Sequence, residues 1–414
     1  MISGMAGEER SNSQDRLTDH ISLGVLTKVV PRYIVDEVLS ETGSREKRTR
    51  LLPAHVVVYF VLALALFQDG YEEVLRKLVE GLRYARVWST AWSVPTTGAV
   101  TQARRRLGSA TMKALFERVA KPVATAGTPG AYLRNWRLMA LDGVMIDVAD
   151  TVANRQRYPK ATGGTRRPFP QLRAVGLSEC GTHAILDAAL GSIHTGEREL
   201  AGQQLSSVTS DMLVIADRGF FSYQFWTEML GTGAHLLFRA WSTLKLEPIE
   251  VLADGTWIAE ITKKSVRGGK TRIPLETVGE LALATHIKVR VIEYQIAGHR
   301  GADEESDTFR LITSILDPAE ASAEELAGAY HERWEIETAF GEVECRLLAG
   351  NGLRSKSPDM VEQEFWGLLL AHYATRTFMQ EAADTVDLDP DRISFTRTLN
   401  IVRRRVTDTA DFSP

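Results

Sequence analysis

The stretch DMLVIADRGF, residues 211–220, decides the fold. Its apolar run, Met212 to Ala216, is short and partly β-branched, the composition of a strand buried on both faces. The run ends on Asp217, and the turn Arg218-Gly219-Phe220 then holds that carboxylate at the carboxyl edge of a sheet, where open α/β sheets bind their ligands. Three further strand-like segments precede it: LMALDGVMIDVA (138–149), LRAVGLSEC (172–180) and HAILDAALGSI (183–193). The second and third are joined across Gly181-Thr182 as a short hairpin. A helix is expected over 197–205 and another over 222–230. Three strands in a meander, a helix, a strand and a helix make an α/β sheet of mixed direction.

A second stretch, YHERWEIETAFGEVECRLL at 330–348, supplies the partner for Asp217. Wound at about 100° per residue, it gathers Tyr330, Arg333, Glu337 and Glu344 within roughly 60° of arc. Ala329, Ile336, Phe340, Val343 and Leu347 form a separate apolar stripe. One face packs, and the neighbouring edge carries an aromatic ring, a cation and carboxylates. Taken alone this describes any Glu-rich amphipathic helix with a solvated face.

Asp142, in the first strand and directly before Gly143, is the third acid. Asp147 and Asp150 compete for that place, but Val, not Gly, follows Asp147. If the helix packs beside the two strands, Asp142, Asp217 and Glu337 form a cluster whose mutual repulsion is relieved by a cation among them. Mg²⁺ suits such a site, with Mn²⁺ as the alternative, because it takes oxygen ligands and leaves positions for phosphate oxygens. Two ions together activate an attacking oxygen and stabilise the leaving one at a phosphodiester. The competing readings are a turn residue for Asp142, a cap for Asp217 and a surface charge for Glu337.

The rest of the chain bounds this picture. Its 414 residues, 44% hydrophobic and 25% charged, suffice for two or three domains with proper cores. Two cysteines, Cys180 and Cys345, make no zinc cluster, and with no secretory leader at the start they point to a cytoplasmic protein with reduced thiols. The apolar run 51–67 is interrupted by Pro53 and His55, so it is a buried helix and no membrane anchor. A net charge of −4 does not advertise a nucleic-acid partner. Local basic clusters do: Arg104 to Arg106; Lys160, Arg166, Arg167 and Arg173; Lys263, Lys264, Arg267, Lys270 and Arg272; and Arg403 to Arg405, against an acidic 303–307.

Residues 1–17 are a polar tail expected to be disordered. Residues 18–120 form a helical domain and 121–136, rich in Gly, Pro and Ala, a linker. Within the helical part, PTTGAVTQARRRLGSATMKAL (95–115) is capped by Thr96 or Thr97 and breaks at Gly108-Ser109. It is either a helix-turn-helix presenting Gln102, Arg104 and Arg105 to DNA or an ordinary helical hairpin. Residues 235–316 are β-rich, helices at 321–348 and from Pro358 to about Ala383 close the fold, and 386–414 end in a basic helix.

These residues resemble the DDE transposases of bacterial insertion sequences, in the branch with a Tyr-Arg-Glu-Lys signature helix. Tyr330, Arg333 and Glu337 match the signature, LDG gives Asp142 and ADRGF gives Asp217. LRSKSPDMVEQEFWGLLLAHYATR (353–376) resembles the stretch that follows the signature helix. The expected Lys is Glu344 here, with Lys356 or Arg354 as candidate replacements. The resemblance implies a ribonuclease-H-like catalytic domain over 137–238 and 306–385 with a β-rich insertion at 239–305. It also implies cleavage of double-stranded DNA at element ends, strand transfer into target DNA, and a homodimer working at the nucleoid, with Tyr330 and Arg333 on phosphate. Members of the branch can excise through a DNA hairpin, an aromatic stacking on a flipped base; Trp241 and Trp257 are candidates, a core tryptophan being the rival reading of each. A nuclease of the same fold that never joins ends, and a DNA-binding protein with a decayed site, are the rival functions.

Overall fold

The computed structural model describes residues 24–46, 52–84, 95–161, 168–263, 286–295 and 308–405. The tail 1–17, the acidic 303–307 and the basic residues Arg166, Arg167, Lys264, Arg267, Lys270 and Arg272 lie outside them.

The N-terminal part is helical, as its 3.6-residue periodicity dictates. Helices α1 (Gly24–Val29), α2 (Arg32–Glu41), α3 (Ala54–Leu66), α4 (Tyr71–Tyr84), α5 (Thr97–Leu107) and α6 (Ser109–Val119) follow one another. Pro53 sets the start of α3, whose missing N–H costs nothing there. Helix α3 is apolar nearly all round and is buried on every face, the core helix its composition calls for. Thr96 caps α5 by accepting from the Ala99 N–H, and Gly108, at φ 75°, makes the break before α6.

The sheet begins with β1 (Tyr132–Leu133) and β2 (Trp136–Asp147), passes α7 (Val152–Arg157), and continues with β3 (Gln171–Glu179) and β4 (Ile185–Ser192). Helix α8 (Glu197–Gly202) leads to β5 (Met212–Ala216), and α9 (Tyr223–Leu230), capped by Ser222, leads to β6 (His235–Arg239). Strands β2, β3 and β4 pair antiparallel, β5 lies parallel to β2, and β6 parallel to β5. The order β4-β3-β2-β5-β6 with these directions is the ribonuclease-H-like topology. Strands β7 (Glu250–Val251), β8 (Trp257–Thr262) and β9 (His286–Gln295) do not stand apart from it. They join through β10 (Thr308–Thr313), which pairs with β6, and extend the same sheet to the order β6-β10-β9-β8-β7.

Helices α10 (Ala323–His331) and α11 (Trp334–Gly341), a π-helical turn (Glu342–Leu347), the 28-residue α12 (Pro358–Thr385) and α13 (Phe395–Arg405) complete the chain. The uniform helix expected over 321–348 is therefore corrected. The Glu332 and Arg333 N–H groups bond carbonyls three residues back, a tighter winding that breaks the helix, and the Leu348 N–H then reaches five residues back to Val343. The apolar stripe survives the break: Ala329, Ile336, Phe340, Val343 and Leu347 are all buried.

Helix α12 packs against α3 and α6 on one side and β4 on the other. One continuous apolar core accordingly runs from the N-terminal helices to one face of the sheet, while a second fills the other face beneath α8 and α9. Residues 121–136 are held in this body and do not hang free. The Val123 and Ala124 N–H groups donate to Glu179, and that of Lys121 to the Tyr373 hydroxyl. No single described helix is long and apolar enough to cross a membrane.

Candidate active site

The parallel pairing of β2 with β5 builds the site. Leu141 stands opposite Ala216, so the next residue on each strand, Asp142 and Asp217, emerges side by side at the carboxyl end of β5. Each carboxylate accepts from a nearby backbone N–H, Asp142 from the next residue of β2, Gly143, and Asp217 from Gly219 in its turn, both at 2.8 Å. Helix α11 lies over this edge because Phe340 fills the space left by Gly176, whose missing Cβ would come within 2.8 Å of the ring. Gly176 pairs with Asp142, so both face the helix.

Arg333, at the break before α11, points into the acids. Its guanidinium donates to Glu337 at 2.8 Å and stands 3.6 Å from Asp142. Its Nε is buried without a hydrogen-bond partner. Burial pushes the Asp142 carboxyl up to about 6; the Gly143 N–H and Arg333 pull it down, and Glu337 and Asp217 reinforce the rise. A half-buried carboxyl raised in part by two like charges is an oxygen donor set short of positive charge, which a hard divalent ion fits. Tyr330 is buried rather than on an open edge, its hydroxyl pushed up to about 12 chiefly by burial, with Asp217 and Arg333 among its charged neighbours.

Other expected contacts are redistributed. Arg104 does not face solvent: it is fully buried, donating to Gln363, Tyr71, Ser355 and the Met360 carbonyl. Its neighbour Arg105 is exposed. Glu344 is half-buried against Asp147, and burial with that charge raises its pKa. Of its two candidate replacements, Arg354 is committed to the carbonyls of Leu64, Phe67 and Asp69 at the end of α3, and Lys356 stays exposed. Trp257 is partly buried and donates to the Leu246 carbonyl. Trp241 is 43% exposed, with the Arg218 guanidinium 4.8 Å over its ring. Trp241 was already a stacking candidate in the sequence; Arg218, which follows Asp217 in the chain, and Glu197, packed on Gly143, were not singled out there.

Comparison with known proteins agrees with the geometry. The family model described as the transposase DDE domain matches residues 137–374, and that of the insertion element 4 transposase N-terminal region matches 20–117. The chain belongs to the DDE transposases of the IS4 family. It is 27% identical over 387 residues to transposase InsG for insertion sequence element IS4 of Escherichia coli (strain K12), covering 92% of this chain and 82% of that one. InsZ, a second transposase by name from the same strain, is 27% identical over 232 residues, 54% of this chain and 73% of its own. A cryo-EM structure of the piggyBac transposase synaptic complex with hairpin DNA aligns at a TM-score of 0.47 and 7% identity, covering 94% of this chain and 80% of that one. The protein is thus a DNA transposase of the DDE type, a DNA-binding enzyme that uses divalent metal.

Proposed function

We propose that Asp142, Asp217 and Glu337 are the metal ligands and that two Mg²⁺ ions serve them, with Mn²⁺ as a substitute. The observation that carries this reading is the β2–β5 register, which makes neighbours of two acids 75 residues apart in the chain, on the edge that Glu337 overhangs. The metal's chemistry is to activate the attacking water or 3′-hydroxyl and to stabilise the leaving oxygen in an in-line displacement. The protein's part is to hold three carboxylates on rigid elements and to keep water and phosphate ordered around them. Arg333, its guanidinium standing between Asp142 and Glu337, is suited to a non-bridging phosphate oxygen beside the acids, and the buried Tyr330 buttresses it.

The substrates are the double-stranded ends of the element and the target DNA, cut and then joined by a homodimer that holds two ends together. Arg105 and Lys356 are exposed cations for the DNA backbone, and Arg104 drops out because it is internal. The exposed Trp241, with Arg218 on one face, offers a stacking surface for a base beside the reacting strand.

The test is cleavage of a duplex carrying the DNA that flanks the reading frame. Asp217→Asn and Glu337→Gln proteins should still shift that duplex in a gel but cleave it at least about a hundredfold more slowly. Cleavage at the wild-type rate by either variant would refute the assignment. Formation of joined product by the wild type, with target DNA and Mg²⁺ present, separates a transposase from a nuclease.

A further inference from the structure

The acid-bearing helix α11 is short, with a break before it and a π-turn after it, so the regular helix at neither end fixes where Glu337 stands. What lies at those ends is a buried ionic network. Glu342, the first residue of the π-turn, points inward and is 8% exposed. It accepts from Arg376 through both Nε, at 2.9 Å, and Nη2, and it bonds His372 Nε2 at 2.9 Å. Arg376 and His372 sit one turn apart on α12 and are 3% and 0% exposed. Arg376 also meets His183 of the β3–β4 turn, which in turn reaches Glu335 in the first turn of α11 and Asp391 at 3.1 Å. Residues 335 and 342 bracket Glu337.

Apolar contacts already hold α11 down on the sheet through Ile336, Ala339 and Phe340. They resist lifting, and the fit of Phe340 against Gly176 opposes sliding at one point, but rolling about that point is left free because dispersion has little direction. A two-pronged carboxylate–guanidinium pair has fixed direction and length. The network is also a costly way to gain stability: Arg376 Nη1 and His372 Nδ1 are buried without hydrogen-bond partners, and apolar residues of like volume would hold at least as firmly. What the ions add is registration.

We propose that Arg376, seconded by His372, is a positioning residue for transposition: through Glu342 it sets where α11 presents Glu337 to Asp142 and Asp217. This rests on Glu337 being a metal ligand. The pair touches no substrate and acts on the metal site only through the helix.

The experiment is an electron paramagnetic resonance titration of Mn²⁺ into the full chain bound to the duplex flanking its reading frame. Three variants are compared with wild type: Arg376→Gln, the double Glu342→Met/Arg376→Met, and Glu337→Gln. Arg376→Gln should bind the duplex normally but Mn²⁺ about tenfold or more weakly, the usual scale for a group supporting a ligand. The double variant, its charges removed together, should melt no lower than wild type and still show the weakened Mn²⁺ binding. Wild-type Mn²⁺ affinity in the double variant would overturn the proposal, and so would Mn²⁺ and DNA binding falling together in Arg376→Gln. If Glu337→Gln itself keeps wild-type Mn²⁺ affinity, the ligand reading fails first. If Glu337→Gln loses it while the other two keep it, only the positioning role falls.

Discussion

Arg104 and Arg105 are adjacent, chemically identical and used in opposite ways. The first is spent inside, tying α5 to α12 through Gln363, 259 residues away, and the second faces water. Arg104→Ala leaves Gln363, Ser355 and Tyr71 facing a gap, and should destabilise the protein by about 3 kcal/mol or more in urea unfolding. Arg105→Ala should leave stability within about 0.5 kcal/mol, yet lower the salt dependence of DNA binding by about one unit of slope. The difference was legible in part. Val100, Ala103, Arg104 and Leu107 recur at helical spacing, which puts Arg104 on the buried face despite the Arg-Arg-Arg run. A charge cluster counted without that periodicity looks like one surface patch. Asp142 and Asp217 were legible for a simpler reason: each closes or interrupts an apolar strand, and an acid there is either at the sheet edge or very costly.

At the level of elements, the strands announced themselves by composition, whereas the break and π-turn around α11 did not. The stripe Ala329, Ile336, Phe340, Val343 and Leu347 is compatible with a straight helix or a broken one. What decides is bonding to distant residues: Arg333 to Asp142, and Glu342 to Arg376. No local pattern carries that information. The seat of α11 can be tested from beneath. Gly176→Ala would drive a methyl against Phe340, whose ring must move and take the helix with it. The expected cost is about 1 to 3 kcal/mol of stability, with a fall in cleavage larger than that loss explains; unchanged cleavage would show that α11 is seated elsewhere.

The described residues form one packed body, the N-terminal helices sharing a core with one face of the sheet. Gly367 of α12 lies so close to α3 that an added Cβ would stand 2.7 Å from Val61 Cγ1 and 3.1 Å from its carbonyl. Gly367→Ala should therefore part the N-terminal helices from the catalytic half and lower the single melting transition of both. His55, at the start of α3, gives the fold a pH dependence. Burial, with Arg32 adding to it and Asp36 opposing, lowers its pKa from 6.5 to about 4. The fold favours the neutral ring, so this contribution is complete above pH 6.5 and is lost as pH falls toward 4. Its ceiling is about 3.4 kcal/mol, less with the screening that a partly exposed ring receives. The wild type should lose that much more stability than His55→Gln between pH 6.5 and 4, measured by urea unfolding at each pH.

The burial of α3 under α12 also sets a schedule. A helix apolar on every side is made some 300 residues ahead of α12, the element that covers one of its sides. At the usual bacterial pace of about 5 to 20 residues per second, the wait is roughly 15 to 60 s. During it the nascent chain carries an uncovered greasy rod, a client for holdase chaperones. A chain stopped before Pro358 should remain in that condition, bound to chaperone or aggregated when released to a greater extent than the 414-residue chain.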